Sequence, residues 1–156
     1  MEKRKRVNVW FDRPGDFLDV CWGSGEWAVR SHTPPDTELG IEIHLTDNYQ
    51  ATGFFIFGAN HYSNKCDSKT TVVAAVQPHP VTVKYDRLTD QWDVQWGPGA
   101  VQCADTPNPR IKARVDASGD IQGVLITDLR TFEDEILNQD IYPVKPGAAA
   151  AQGESP

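Results

Sequence analysis

Residues 7–25 read VNVWFDRPGDFLDVCWGSG, and residues 81–99 read VTVKYDRLTDQWDVQWGPG. At a shift of 74 and without a gap they agree at ten of 19 positions: Val7/Val81, Val9/Val83, Asp12/Asp86, Arg13/Arg87, Asp16/Asp90, Asp19/Asp93, Val20/Val94, Trp22/Trp96, Gly23/Gly97 and Gly25/Gly99. Unrelated stretches of this length agree at about one position, so the first inference is that one piece of sequence is used twice.

The likeness continues with small changes of shift. Thr33-Pro34 precedes Thr106-Pro107 by 73 residues, and Ile41–Leu45 faces Ile111–Val115 at a shift of 70. At that same shift Gly53-Phe54-Phe55-Ile56 faces Gly123-Val124-Leu125-Ile126. Changes of shift between segments are what loops tolerate. The reading divides the chain into a basic arm (1–6), a first unit (7–58), a linker with a possible extra strand over 70–76 (59–80), a second unit (81–138) and a disordered tail (139–156).

Each unit reads as short strands. Val7, Val9 and Phe11 alternate with Asn8 and Trp10, and Val81, Val83 and Tyr85 with Thr82 and Lys84, the period of a half-buried strand. Asp12 to Asp16 and Asp86 to Asp90 are turns, in which Pro14 and Gly15 set dihedrals and aspartates accept from local amides. A second strand puts Leu18, Val20 and Trp22 on one face, with Trp92, Val94 and Trp96 matching them and Asp19 and Asp93 opposite. Glycine-rich turns follow, then a third strand around 26–31 and 100–104, a fourth over 39–46 and 110–115, and a fifth over 50–57 and 121–127. Thr131 as a cap, followed by Phe132, Ile136 and Leu137, predicts one short helix after the second unit.

The expected fold is mainly β: two antiparallel meander units packed about a pseudo-twofold axis, an intramolecular pseudo-dimer. Units of about 50 residues are too small to bury much alone. Val20, Val94, Trp22 and Trp96 are expected to be buried between them.

The segment Tyr85-Asp86-Arg87-Leu88-Thr89-Asp90-Gln91-Trp92-Asp93-Val94, with Ile111 through Asp116, Ser118-Gly119-Asp120 and Gly123-Val124-Leu125-Ile126, resembles the domain-of-unknown-function family 2283 of small bacterial proteins. The second unit covers nearly the whole pattern; the first follows it more loosely, with Phe11 in place of Tyr. The resemblance implies no established chemistry. It suggests a partner protein of the toxin–antitoxin kind.

Composition bounds the function. Of 156 residues 39% are hydrophobic and 24% charged, enough for a buried core. No run of 18 apolar residues occurs, so no membrane span is expected, and the segment after the basic arm is too short and mixed for a signal peptide. Cys21, Cys66 and Cys103 form no disulfide framework, which fits a reduced, cytoplasmic setting. The net charge is −7; residues 1–6 carry +3, leaving −10 on the rest, a balance that disfavours nucleic acid and suits a basic protein partner.

Of the side chains that bear chemistry, Asp12, Asp16, Asp86 and Asp90 read as turn residues, because turn hydrogen bonding alone explains them. Trp22 and Trp96 read as structural, at the core or between the units. Trp10, Asp19 and Asp93 are the candidate partner- or ligand-binding residues, since Trp10 lies on the face opposite Val9 and its counterpart is Lys84. His32, His44, His61 and His79 and the cysteines show no zinc spacing, and the aspartates form no calcium loop, so no metal or cofactor is expected. Gly-x-Gly at 23–25 and 97–99 lies between strands rather than before a helix, and no nucleophile motif is present, so no catalytic residue is assigned. The resulting expectation is a non-enzymatic protein-interaction or regulatory module, with a domain binding a small ligand or carbohydrate through Trp and Asp as the alternative.

Overall fold

The computed structural model describes residues 6–22, 30–32, 41–47, 50–60, 69–74, 80–97 and 102–142. Their strands are β1 (Val7–Asp12), β2 (Phe17–Cys21), β3 (Arg30–His32), β4 (Ile41–Leu45), β5 (Ala51–Phe57), β6 (Lys69–Ala74), β7 (Val81–Asp86), β8 (Gln91–Gln95), β9 (Gln102–Asp105), β10 (Ile111–Val115), β11 (Ile121–Thr127) and β12 (Ile136–Ile141). The predicted strands fall on these, including the extra strand in the linker, which is β6. Trp27, the third strand before Arg30, the loop 33–36 and residues 143–156 lie outside the described residues.

The strands form two antiparallel sheets, ordered β12-β1-β2-β5-β4-β3 and β6-β7-β8-β11-β10-β9. This corrects the meander. β2 lies beside β5 rather than β3, a Greek-key connection that puts each fifth strand in mid-sheet. β5 and β11 are thus paired on both sides, by β2 and β4 and by β8 and β10. A second departure concerns the edges. β6 follows β5 in the chain yet pairs with β7, and β12 follows β11 yet pairs with β1. Each sheet takes its outer strand from the segment that follows the other sheet.

β12 also replaces the expected helix. Only one 3-10 turn, Leu129–Thr131, forms after β11, and its cap is Asp128 in the left-handed region rather than Thr131. Phe132 is then extended, and Leu137 and Ile141 alternate inward from β12. Residues 139–141, assigned to a disordered tail, are paired with Val7 to Val9.

The β1–β2 and β7–β8 turns are built alike. Asp12 Oδ1 accepts from the Gly15 amide at 2.8 Å, and Asp86 Oδ1 from the Leu88 amide at 3.0 Å. The left-handed residue in each is the aspartate that closes it, Asp16 at φ 55° and Asp90 at φ 49°. Gly15 is therefore not required for its φ, and Thr89 fills its place in the second turn. Asp16 then accepts the amides of Gly58 and Ala59 at its carbonyl, and that of Asn60 at Oδ1. Asp90 does the same for the Asp128 amide at its carbonyl and the Arg130 amide at Oδ2. These aspartates tie the β1–β2 and β7–β8 turns to the residues that follow β5 and β11.

The inner faces share one apolar core. Val9, Phe11, Leu18, Val20, Ile41, Ile43, Phe54 and Ile56 face Val83, Tyr85, Trp92, Val94, Ile111, Val124 and Ile126 within it. Phe54 and Trp92 meet across it with ring centroids 6.3 Å apart. Val20 and Val94 are fully buried, as expected, but Trp22 and Trp96 are only half-buried. They stack on each other at the core margin, centroids 4.2 Å apart and planes 2° from parallel. Register shifts between His44 and Leu45 and between Arg114 and Val115 leave Thr52 and Gln122 without a register partner on the neighbouring strand. The carbonyls of those residues accept the Trp22 and Trp96 amides, which places the two indoles.

Two parallel indoles this close couple their electronic transitions. Far-UV circular dichroism is expected to show an exciton couplet that disappears in Trp22→Phe or Trp96→Phe and survives in Trp10→Phe. A couplet unchanged by the first two would contradict the stack. Among the described residues no helix is long and apolar enough to cross a membrane.

Candidate functional site

The outer faces of the sheets differ, and the difference is read row by row from the register. Asn138, Trp10, Asp19, Phe55 and Glu42 stand in line across β12, β1, β2, β5 and β4. The next row holds Ile136, Asp12, Phe17 and Phe57. In the other sheet Lys84, Asp93, Leu125 and Lys112 stand in line, followed by Asp86, Gln91 and Thr127. One outer face is aromatic and acidic; the other is aliphatic and polar, with lysines where the first has Trp10 and Glu42.

The aromatic side chains form a cluster rather than scattered exposures. Phe17 stacks on Phe55 at 5.3 Å, Phe55 meets Phe57 edge-on at 4.4 Å, and the His44 ring lies 6.0 Å from Phe55, 21° from parallel. Phe57 is 53% exposed and Ile136 41%. Trp10 is half-buried on the same face, beside Asp19. Both faces of a sheet bearing large apolar groups, when only one is needed for the core, leave a surface available to a partner. Polar groups close one end: Asn8 donates to Asn138 and Asp140, and Arg6 pairs with Asp140 at 3.2 Å.

The structure separates the two candidate aspartates. Asp93 is occupied. Arg114 Nε donates to its Oδ1 at 3.0 Å and a terminal guanidinium nitrogen to its Oδ2 at 2.7 Å, a bidentate pair that raises the Arg114 pKa. Its guanidinium reaches Asp93 over Gly123, whose absent side chain makes the space; a Cβ there would lie 2.6 Å from the Val94 carbonyl and 3.2 Å from Arg114 Cδ. The corresponding positions in the other sheet are Asp19, His44 and Gly53. His44 is too short to form the same fork, and among the described residues Asp19 accepts no side-chain hydrogen bond. Burial raises the Asp19 pKa, with His44 acting in the opposite direction.

The sign of that shift gives a prediction. A carboxyl whose folded pKa lies above its unfolded value disfavours the folded state once ionised. Stability present at acid pH is therefore lost as pH rises through the folded pKa. Asp19→Asn is expected to melt higher than the unmodified protein at pH ~7, the gap closing toward about pH 3, where both side chains are neutral. Equal melting temperatures at both values would contradict a desolvated Asp19.

The remaining residues hold structure. Asp12, Asp16 and Asp86 hold turn amides, and buried Asp90 also accepts from the Tyr85 hydroxyl at 2.8 Å, with Arg130 3.9 Å away. Among the described residues no group of His, Cys, Asp and Glu is placed to hold a metal ion. Cys21 and Cys103 are free and exposed, His32 sits opposite Ile43, and His61, Cys66 and His79 lie outside the described residues.

No family model, curated protein or solved structure matches the chain. Phe17, Phe55, Phe57 and His44 were missed as site residues, yet a signal was present: Gly53-Phe54-Phe55-Ile56-Phe57 is apolar on both alternations, whereas Gly123-Val124-Leu125-Ile126-Thr127 ends polar.

Proposed function

We propose that this protein is a non-enzymatic interaction module that binds a protein partner through the outer face carrying Trp10, Asp19, Phe17, Phe55 and Phe57. The observation that carries this reading is the contrast between the faces. At matched rows both sheets carry two aspartates, but Trp10, Phe17, Phe55, Phe57 and Glu42 of one stand where the other has Lys84, Gln91, Leu125, Thr127 and Lys112. An aromatic centre with a charged rim is the composition of a protein-binding patch. The carboxylates of Asp12, Asp19 and Glu42 suit a partner with basic groups, as does the net charge.

A photo-crosslinking amino acid at Glu42, on the rim, tests the reading in cells of the native host. Crosslinks to one discrete protein, lost on Trp10→Ala or Phe57→Ser while the fold is kept, support it. No discrete adduct, or adducts indifferent to both changes, overturns it. A flat sugar would stack on the same face, Trp10 beside Asp19 being the feature that favours it. Quenching of Trp10 fluorescence by oligosaccharides, absent in Trp10→Phe, distinguishes that case.

We further propose that the scaffold is one β unit used twice about a pseudo-twofold axis with exchanged edge strands, each unit carrying the pattern that resembles family 2283. The identical sheet orders, the matched left-handed aspartates, the matched register shifts and the parallel tryptophans support this reading. In such an arrangement the ends of β12 and β1, with Ile141 opposite Val7, correspond to those of β6 and β7, with Ala74 opposite Val81. A permuted chain, opened between Ala74 and Val81 and joined from Ile141 to Val7 by the six residues 75–80, is expected to unfold cooperatively with the same circular dichroism. Loss of cooperative unfolding would count against the two-unit reading.

A further inference from the structure

We propose that Asp19 receives the guanidinium of an arginine presented by the partner polypeptide. This rests on the outer-face reading above and names the partner's anchor.

The other sheet supplies the template. There the same carboxylate position, Asp93, holds a guanidinium in a two-point fork, delivered by Arg114 across a glycine. Around Asp19 the carboxylate and the glycine are both present, and the residue that would deliver the cation is His44. The receptor half of an arginine–carboxylate pair is kept and the internal arginine is missing. Among the described residues no side-chain oxygen fully sealed from solvent lacks a partner, so the Asp19 oxygens, which accept no bond from them, keep some access to solvent although the residue is half-buried.

The walls favour the same cation. Trp10 and Phe55 are the direct cross-strand neighbours of Asp19, about 5 Å away across the sheet. A guanidinium is planar and weakly hydrated and stacks on aromatic faces, so it gains there both its fork and its ring contacts. At Asp93 the corresponding neighbours are Lys84 and Leu125, and Lys84 would repel an incoming cation. A free arginine would leave Phe17, Phe57 and Ile136 uncovered in the adjoining row; a polypeptide lying across the sheet covers both rows.

The test uses the full chain and a defined probe: a blocked pentapeptide with one arginine between two leucines, against the same peptide with citrulline. The side-chain carboxyl resonance of Asp19 and the indole resonance of Trp10 are followed by NMR at pH ~7, with binding on the order of millimolar expected for a single exposed-to-half-buried ion pair. The arginine peptide is expected to shift both signals, and citrulline to bind at least about tenfold more weakly. His44→Arg is the decisive variant. It rebuilds the internal fork, so it is expected to abolish the response while leaving the fold intact, and Asp19→Asn to abolish it without filling the site. Retained binding in His44→Arg, or equal binding of citrulline, overturns the proposal. If the arginine peptide moves neither signal while crosslinking at Glu42 still depends on Trp10, the anchor is wrong and the protein-binding face stands. If both fail, the face itself is wrong.

Discussion

Trp92→Ala is expected to lower the unfolding free energy by about 3–5 kcal/mol, the upper range for a single core truncation. Trp92 is 1% exposed, the largest fully enclosed side chain among the described residues. Its ring lies 4.6 Å from Tyr85 in its own sheet and 6.3 Å from Phe54 in the other, so alanine leaves a cavity between the sheets. Both walls are strands held in register by neighbours on either side, so little collapse into the gap is available. The sequence directs attention instead to Trp96, which matches Trp22 when residues 81–99 are laid on residues 7–25. The structure places that ring at the margin, where Trp96→Ala is expected to lose a smaller amount, about 1–2 kcal/mol. Urea unfolding of the two variants checks the order. A Trp96→Ala loss equal to or above that of Trp92→Ala would contradict the placement of both.

Ending the chain after Glu135 is expected to abolish cooperative unfolding altogether. The cut removes β12, which follows β11 in the sequence but forms the outer strand of the sheet that holds β1 to β5. Leu137 is 3% exposed and Ile141 4%, and truncating a buried Leu or Ile costs about 2–5 kcal/mol each. Their joint loss approaches the ~5–15 kcal/mol total of an ordinary domain. β1 would also be left as an open edge, with unpaired backbone groups along Val7 to Asp12. Phe132 is positioned by the same segment, edge-on to Phe11 with centroids 6.0 Å apart. A free peptide of residues 136–142 added to the truncated protein is expected to restore the unfolding transition, because it supplies the strand with Leu137 and Ile141. A truncated chain that melts like the full one would show that β12 is not part of the sheet.

The strands were legible because their signals are local. Alternation over Val7 to Phe11 and Val81 to Tyr85 decides which side chains face inward, and burial along β1 alternates with it residue by residue. Turn aspartates act within a few positions of themselves, so Asp12 and Asp86 could be assigned from spacing alone. The helix failed for the same reason. Thr131 to Leu137 has a cap and an apolar pattern, but the open edge of β1 offers Leu137 and Ile141 both backbone partners and burial, which a two-turn helix cannot match. Trp22 and Trp96 share the inward alternation of Val20 and Val94, yet each strand ends just before its tryptophan, and how far the core extends past a strand end is not written in the strand.

Asp19 and Asp93 stand in nearly the same local sequence, each followed by valine, and no local rule tells them apart. Their difference comes from β4 in one sheet and β10 in the other, 25 and 21 residues further on, where His44 stands in place of Arg114. Local alternation and turn hydrogen bonding placed both carboxylates on an outer face, since those forces act between near neighbours in the chain. Which carboxylate is already neutralised was decided by long-range strand register, because the partner charge arrives from a strand that pairs two positions away in the sheet.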